Sequence, residues 1–209
     1  MAVASADSAW AVGSYDNPVT DMSLPLIEHW DGTVWARVPS PNPAGNNAQL
    51  NGVAVASADS AWAVGSYDNP VTDMSLPLIE HWDGRAWARV PSPDLAGGGT
   101  LSAVAALSPA SAWAVGTGSL CPGPVRTTLI EHWNGRAWTA VPSPAAGTLT
   151  AVTAASPDSA WAVGSISSGG GGPAVIEHWN GKTWTWPTGF CGSPSGPGCF
   201  QPGTPSAPQ

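Results

Sequence analysis

An all-β chain built from four copies of one four-stranded antiparallel unit is the fold that the 209-residue sequence predicts. Three observations carry it. S-A-W-A-V-G recurs at Ser8–Gly13, Ser60–Gly65, Ser111–Gly116 and Ser159–Gly164, and E-H-W recurs at Glu28–Trp30, Glu80–Trp82, Glu131–Trp133 and Glu177–Trp179. Tryptophan keeps the same period: Trp10, Trp62, Trp113 and Trp161 are 52, 51 and 48 residues apart, and Trp30, Trp82, Trp133 and Trp179 are 52, 51 and 46 apart. A third set, Trp35, Trp87, Trp138 and Trp184, follows behind, so that of the 13 tryptophans only Trp186 falls outside the scheme. Finally, no stretch carries apolar residues at i, i+3, i+4 and i+7, which leaves helix without support.

The second repeat shows the elements in order. Strand one is Leu50–Ala56, rich in Val and Ala; strand two is Ser60–Ser66; strand three is Leu78–Trp82; strand four is Arg85–Val90. Each is short and bounded by turn residues. Between strands three and four stand Asp31-Gly32, Asp83-Gly84, Asn134-Gly135 and Asn180-Gly181. Such a pair predicts a two-residue hairpin with positive φ at both central positions. The exchange of Asp for Asn beside a fixed Gly fits turn geometry better than carboxylate chemistry. V-P-S-P then ends strand four, because proline has no N–H to give a ladder. Asp7, Asp59 and Asp158 precede strand two, with Ala110 in the third repeat, and are expected to stabilise the turn there. Ala2–Gly32 and Ala54–Gly84 are identical, the mark of a duplication.

A period near fifty with four antiparallel strands is that of a β-propeller blade, whose neighbours stack radially with large side chains filling the wedge between them. The repeat resembles the kelch motif. Val64-Gly65 stands where kelch has a glycine pair, His81-Trp82-Asp83 where it has an aromatic-Asp step, Trp87 at its strand-four tryptophan and Pro91 after it. Only one glycine of the pair is present, so the resemblance implies a kelch-like propeller, similar to W-A-V-G/E-H-W repeats of bacterial proteins without assigned function. We expect a four-blade unit over residues 1–187, closing alone or forming part of a larger ring, with two chains as one way to build eight blades. Residues 188–209, rich in Pro, Gly and Ser, read as a disordered tail or linker. Met1 aligns with Val53, so the chain starts inside a strand one, and a fragment of a larger secreted propeller is one reading.

The net charge of -8, with 6 Lys+Arg against 14 Asp+Glu, argues against nucleic acid or an anionic membrane as partner. No apolar run approaches the roughly 20 residues of a membrane span, and no secretory signal pattern opens the chain. The compartment stays open, with an extracellular or cell-surface setting slightly favoured. Cys191 and Cys199 bracket G-S-P-S-G-P-G and could close a short disulfide loop, leaving Cys121 over.

Four Glu-His pairs raise the question of a metal or catalytic array. The pleat answers it in part: Ile79 and His81 share one face of strand three, and Leu78, Glu80 and Trp82 the other. The four histidines, two strand spacings (roughly 10 Å) from the channel, are expected to pack between blades and bond backbone rather than converge on a metal. The twelve repeated tryptophans are expected to be packing residues, and Trp186 to be exposed. No cofactor is expected. A copper-radical oxidase resembling galactose oxidase would need Tyr, His and Cys ligands, and Tyr15 and Tyr67 are copies in one loop. A sialidase would need an arginine trio, whereas four of Arg37, Arg85, Arg89, Arg126 and Arg136 occupy strand four or its turn.

Loops alternate between the two faces of such a meander. The 1–2 and 3–4 turns share one face and hardly vary. The 2–3 loops, including Tyr67–Pro77, Thr117–Thr127 and Ser165–Ala174, share the other with the 4–1 loops and do vary. Recognition residues concentrate on such loops. Tyr15, Asp16, Asp21, Tyr67, Asp68, Asp73 and Arg126 are therefore the candidates for a ligand-binding face, in a non-enzymatic module for a protein or glycan. The alternative is a hydrolase or lyase with its site at the channel mouth, but the inner strands L-N-G-V-A-V-A, L-S-A-V-A-A-L and L-T-A-V-T-A-A supply almost no acid or base.

Overall fold

The computed structural model describes residues 1–43, 47–93, 97–119, 126–166 and 173–187. They form four four-stranded antiparallel sheets, each in strict chain order. Blade one comprises β1 (Ala2–Ser5), β2 (Ser8–Asn17), β3 (Met22–Trp30) and β4 (Trp35–Val38). Blade two comprises β5 (Ala48–Ser57), β6 (Ser60–Asp68), β7 (Ser75–Trp82) and β8 (Trp87–Arg89). Blade three comprises β9 (Gly99–Ser108), β10 (Ser111–Ser119), β11 (Arg126–Trp133) and β12 (Trp138–Ala140). Blade four comprises β13 (Thr148–Ser156), β14 (Ser159–Ser165), β15 (Ala174–Trp179) and β16 (Trp184–Thr185). The first strands of successive blades lie side by side, β1 by β5, β5 by β9 and β9 by β13, so the apolar strand-one runs face the axis. The chain is all-β, and its four sheets are blades of a β-propeller. Among the described residues no helix is long and apolar enough to cross a membrane.

Two of the expected connections need correction. The 3–4 connection is not a two-residue hairpin. Trp82 pairs with Trp87, which leaves Asp83–Ala86 as a four-residue loop, and of the central pair only Gly84 has a positive φ, 89°. The leading Asp or Asn instead caps the loop: Oδ1 of Asp83 accepts the N–H groups of Arg85 and Ala86, both at 2.9 Å, and Oδ1 of Asn180 accepts those of Lys182 and Thr183, both at 3.0 Å. One carbonyl-type oxygen suffices, which is why Asp and Asn exchange there. Backbone N–H donors hold the exposed Asp31 carboxyl down at about 2.

The 2–3 connection is shorter than expected. In blade two it spans only 69–74, because Ser66 pairs with Pro77, Tyr67 with Leu76 and Asp68 with Ser75. Proline is tolerated there because β8 stops short and leaves that stretch of β7 at an edge. In the 1–2 turns of blades one and three a serine also caps the chain: Ser5 Oγ accepts the N–H of Asp7 and Ser108 Oγ that of Ala110, each at 3.3 Å.

The core is divided among the blade junctions. Between blades one and two, Trp10 and Ile27 pack on Leu50, Val53, Ala61, Ala63, Leu78 and Trp87. Between blades two and three, Trp62, Val64 and Ile79 meet Leu101, Val104, Ala112, Ala114, Leu129 and Trp138. Between blades three and four, Trp113, Val115 and Ile130 meet Leu149, Ala160, Ala162, Val175 and Trp184. Trp186, expected to be exposed, is half-buried against this third cluster. Each strand-two tryptophan reaches forward to two tryptophans of the next blade. Trp62 lies 4.8 Å from Trp133, tilted, and 5.0 Å from Trp138, edge to face at 88°; Trp10 and Trp113 repeat the arrangement. The buried Nε1 atoms of Trp62, Trp87, Trp113, Trp138 and Trp184 meet no acceptor, so these rings serve by size and edge-to-face fit rather than by hydrogen bonding.

Candidate functional site

The repeated E-H-W histidines and glutamates are joints between strands and blades. Each histidine stacks on the strand-two tryptophan of its own blade, as His81 does on Trp62 at 4.3 Å. Its Nε2 bonds the serine that opens S-A-W-A-V-G: Ser8 with His29 and Ser60 with His81 at 3.0 Å, Ser111 with His132 and Ser159 with His178 at 3.3 Å. The partner is thus a side-chain hydroxyl, not the backbone expected from sequence. Burial holds His81 and His132 below the usual histidine range.

The glutamates point the other way, toward the preceding blade. Glu80, Glu131 and Glu177 are fully buried. Ser40 Oγ donates to both oxygens of Glu80, at 3.0 and 2.9 Å; Ser92 donates to Glu131 at 2.8 Å and Ser143 to Glu177 at 2.6 Å. The serine of V-P-S-P therefore ties each blade to the next, a link that reading repeats one at a time does not reveal. Desolvation raises Glu80 and Glu131 to about 7 against the pull of the serine, and moves Glu177 in the same direction.

This gives a pH dependence with a definite sign. A glutamate in the unfolded chain titrates near about 4.3. The folded chain therefore keeps a proton that the unfolded chain releases, and stability falls as pH rises from there through about 7. Glu80 and Glu131 each contribute at most on the order of 3–4 kcal/mol to the fall. Glu131→Gln, which fixes the neutral form, is expected to raise the melting temperature at pH 8 by about 2–4 °C per kcal/mol recovered and to change it little at pH 5. Equal melting shifts at the two pH values would contradict a buried, protonated carboxyl.

The variable face is built differently. Tyr15 and Asp16 end β2, Tyr67 and Asp68 end β6, and Arg126 opens β11, so these five stand on strand termini rather than in loops. Asp21 and Asp73 do lie in the connection, both with φ of 56°, and their backbone N–H groups close the turn onto Asn17 O at 2.8 Å and Asn69 O at 2.9 Å. Asp16 accepts from Ser23 at 2.8 Å; Asp68 accepts from Ser75 at 3.0 Å and from Asn47 at 3.3 Å.

Two clefts open on this face at successive blade junctions. One, of about 210 Å³, is lined by Ser23, Asn47, Gln49, Tyr67, Asp68 and Ser75. The next, of about 340 Å³, is lined by Met74, Ser75, Thr100, Thr117, Ser119 and Arg126. Ser75 belongs to both, so they adjoin, bringing Tyr67 and Asp68 together and Arg126 beside them; Tyr15, Asp16, Asp21 and Asp73 line neither. Behind Tyr67 a third cleft, of about 410 Å³, runs along Leu76, Pro77, Arg89, Pro91 and Ser92. The Arg89 guanidinium lies 4.4 Å from the Tyr67 ring centre and Nη2 donates to the phenol oxygen; Arg37 lies 3.9 Å over Tyr15. Arg37 and Arg89 thus join the face through the two tyrosines. The sequence carries one signal of this pairing: blade three has Gly118 and Ala140 at the places of Tyr67 and Arg89, so the two side chains appear and vanish together. Among the described residues no three His, Cys, Asp or Glu side chains group to hold a metal. Cys121, Cys191, Cys199 and the 188–209 tail lie outside the described residues.

No family model and no curated protein matches the chain. Among solved structures, one described as "YCF48 bound to D1 peptide" is similar in fold, with a TM-score of 0.52 and 19% identity. The match covers 88% of this chain and 50% of that one, so the chain spans about half the length of this structural neighbour.

Proposed function

We propose that the chain is a non-enzymatic binding module, and that its variable face takes an extended segment of a partner protein across the two adjoining clefts. One observation carries the reading: the clefts share Ser75 and line up hydroxyls, two amides, the Asp68 carboxylate and the Arg126 guanidinium over blades one to three. Groups of both charges with backbone-compatible donors and acceptors suit a peptide main chain better than a single-sign polymer. Tyr67, braced by Arg89, supplies a rigid aromatic wall at one end. That the structural neighbour was solved with a peptide supports the choice of ligand class. The Glu80, Glu131 and Glu177 carboxyls are buried at blade junctions, and the histidines are tied to a serine and a tryptophan of their own blade, which favours a structural role for both. We also read the repeat type as kelch-like, on the strand-two glycine and the strand-four tryptophan before proline.

Selection of a displayed peptide library on the chain, with a glycan array in parallel, tests this. Selected peptides are expected to lose about tenfold or more in affinity, ~1.4 kcal/mol, on Tyr67→Ala with Arg126→Ala, at a temperature where the variant is still folded by circular dichroism. Peptides that bind the double variant as tightly, or ligands found on the glycan array alone, would overturn the reading.

A further inference from the structure

Three junctions are filled and their two halves are known, but the outermost blades each keep one half uncovered. On blade four, Trp161 is 39% exposed and Val163 38%, whereas the equivalent Trp62, Val64, Trp113 and Val115 are at most 1% exposed. On blade one, Trp35 is 42% exposed, whereas Trp87, Trp138 and Trp184 are 3–5% exposed. Trp161 stacks on His178 of its own blade, and no tryptophan of another blade joins it among the described residues. Blade one likewise shows only its internal Trp30–Trp35 contact on this side, and no described serine reaches Glu28.

These two faces are the two halves of one joint. Blade one, from Ala2 to Gly32, repeats blade two, from Ala54 to Gly84, residue for residue, and blade two already buries the corresponding face against Trp10 and Ile27. Blade four offers Trp161, Val163 and Ile176 where blade three offers Trp113, Val115 and Ile130. We infer that the uncovered face of blade four docks onto the uncovered face of blade one of a second copy, Trp161 seating against Trp30 and Trp35 as Trp113 seats against Trp179 and Trp184. The contact is head to tail, and two such contacts close a ring of eight blades if each blade turns by about 45°. A dimer whose population grows with concentration is expected.

Light scattering and sedimentation of the whole chain test this across concentrations around a micromolar dissociation constant, about 1–100 μM. The chain is expected to move from 21.1 kDa toward twice that mass. Trp161→Glu and Trp35→Glu alter partly exposed side chains and are expected to lower the melting temperature of the monomer far less than a change at Trp62, while each alone stays monomeric and folded. Mixed together they are expected to pair, because the intact blade one of the first meets the intact blade four of the second. A wild-type chain that stays monomeric throughout, single variants that still dimerise, or a mixture that fails to pair would each overturn the head-to-tail joint. Peptide binding at the variable face is read separately and does not depend on the outcome.

Discussion

Trp62→Ala is expected to cost about 3–5 kcal/mol, the usual range for emptying a fully buried tryptophan site. Trp62 is 1% exposed. Its ring touches His81 of its own blade and Trp133 and Trp138 of the next, and the strand ladders on either side fix the backbone, so the site has little freedom to collapse. At about 2–4 °C per kcal/mol for a chain of this size, the melting temperature drops by roughly 6–20 °C. The same change at Trp161, 39% exposed on the outermost blade, is expected to move the monomer far less. Equal losses at the two sites would mean that the tryptophans act within their own blades and not across junctions.

Gly116→Ala is the second large effect. β9 carries a bulge here: Leu101 pairs with Gly116 and Ala103 with Val115, so Ser102 is the extra residue. A Cβ built on Gly116 would come within 2.0 Å of Thr100 O. That contact is with backbone, so relief requires the bulge itself to shift, and a loss of about 1–3 kcal/mol or more follows. Gly65 and Gly164 meet the same obstruction. Gly13 supplies the control. It is the same residue of the same motif, but β1 is too short to reach it, and nothing lies within 4 Å of its Cβ position. Gly13→Ala is expected to be neutral or to stabilise by up to ~1 kcal/mol, since alanine gives up less chain entropy than glycine on folding. Chemical denaturation of the two variants side by side checks the pair, and a Gly116→Ala chain as stable as wild type would remove the bulge as the reason for the fixed glycine.

The blades were legible because their signals are local and repeat. Val- and Ala-rich strand one, the alternation in E-H-W and the [D/N]-G turn each constrain a few neighbouring residues, and four copies average out chance. The pleat alone separates Glu80 from His81, one facing blade one and the other blade three. What was missed is non-local. Ser40 and Glu80 are separated by 40 residues, and Ser92 and Glu131 by 39, so the bond crosses from one repeat to the next. The 2–3 connection is shorter than its sequence suggests because the short β8 leaves β7 an edge that accepts Pro77. Tyr67 and Asp68 consequently stand on a strand end rather than in a loop.

A double-mutant cycle between Trp62 and Trp138 tests most directly whether the repeated tryptophans join one blade to the next. The two residues sit in different repeats, 5.0 Å apart and edge to face. Urea unfolding of Trp62→Leu, Trp138→Leu and the double variant is expected to give a coupling of about 0.5–3 kcal/mol, the range for residues in contact. Additive losses, with coupling at or below about 0.3 kcal/mol, are what separated and independent sites give, and would contradict a fold held together at its blade junctions.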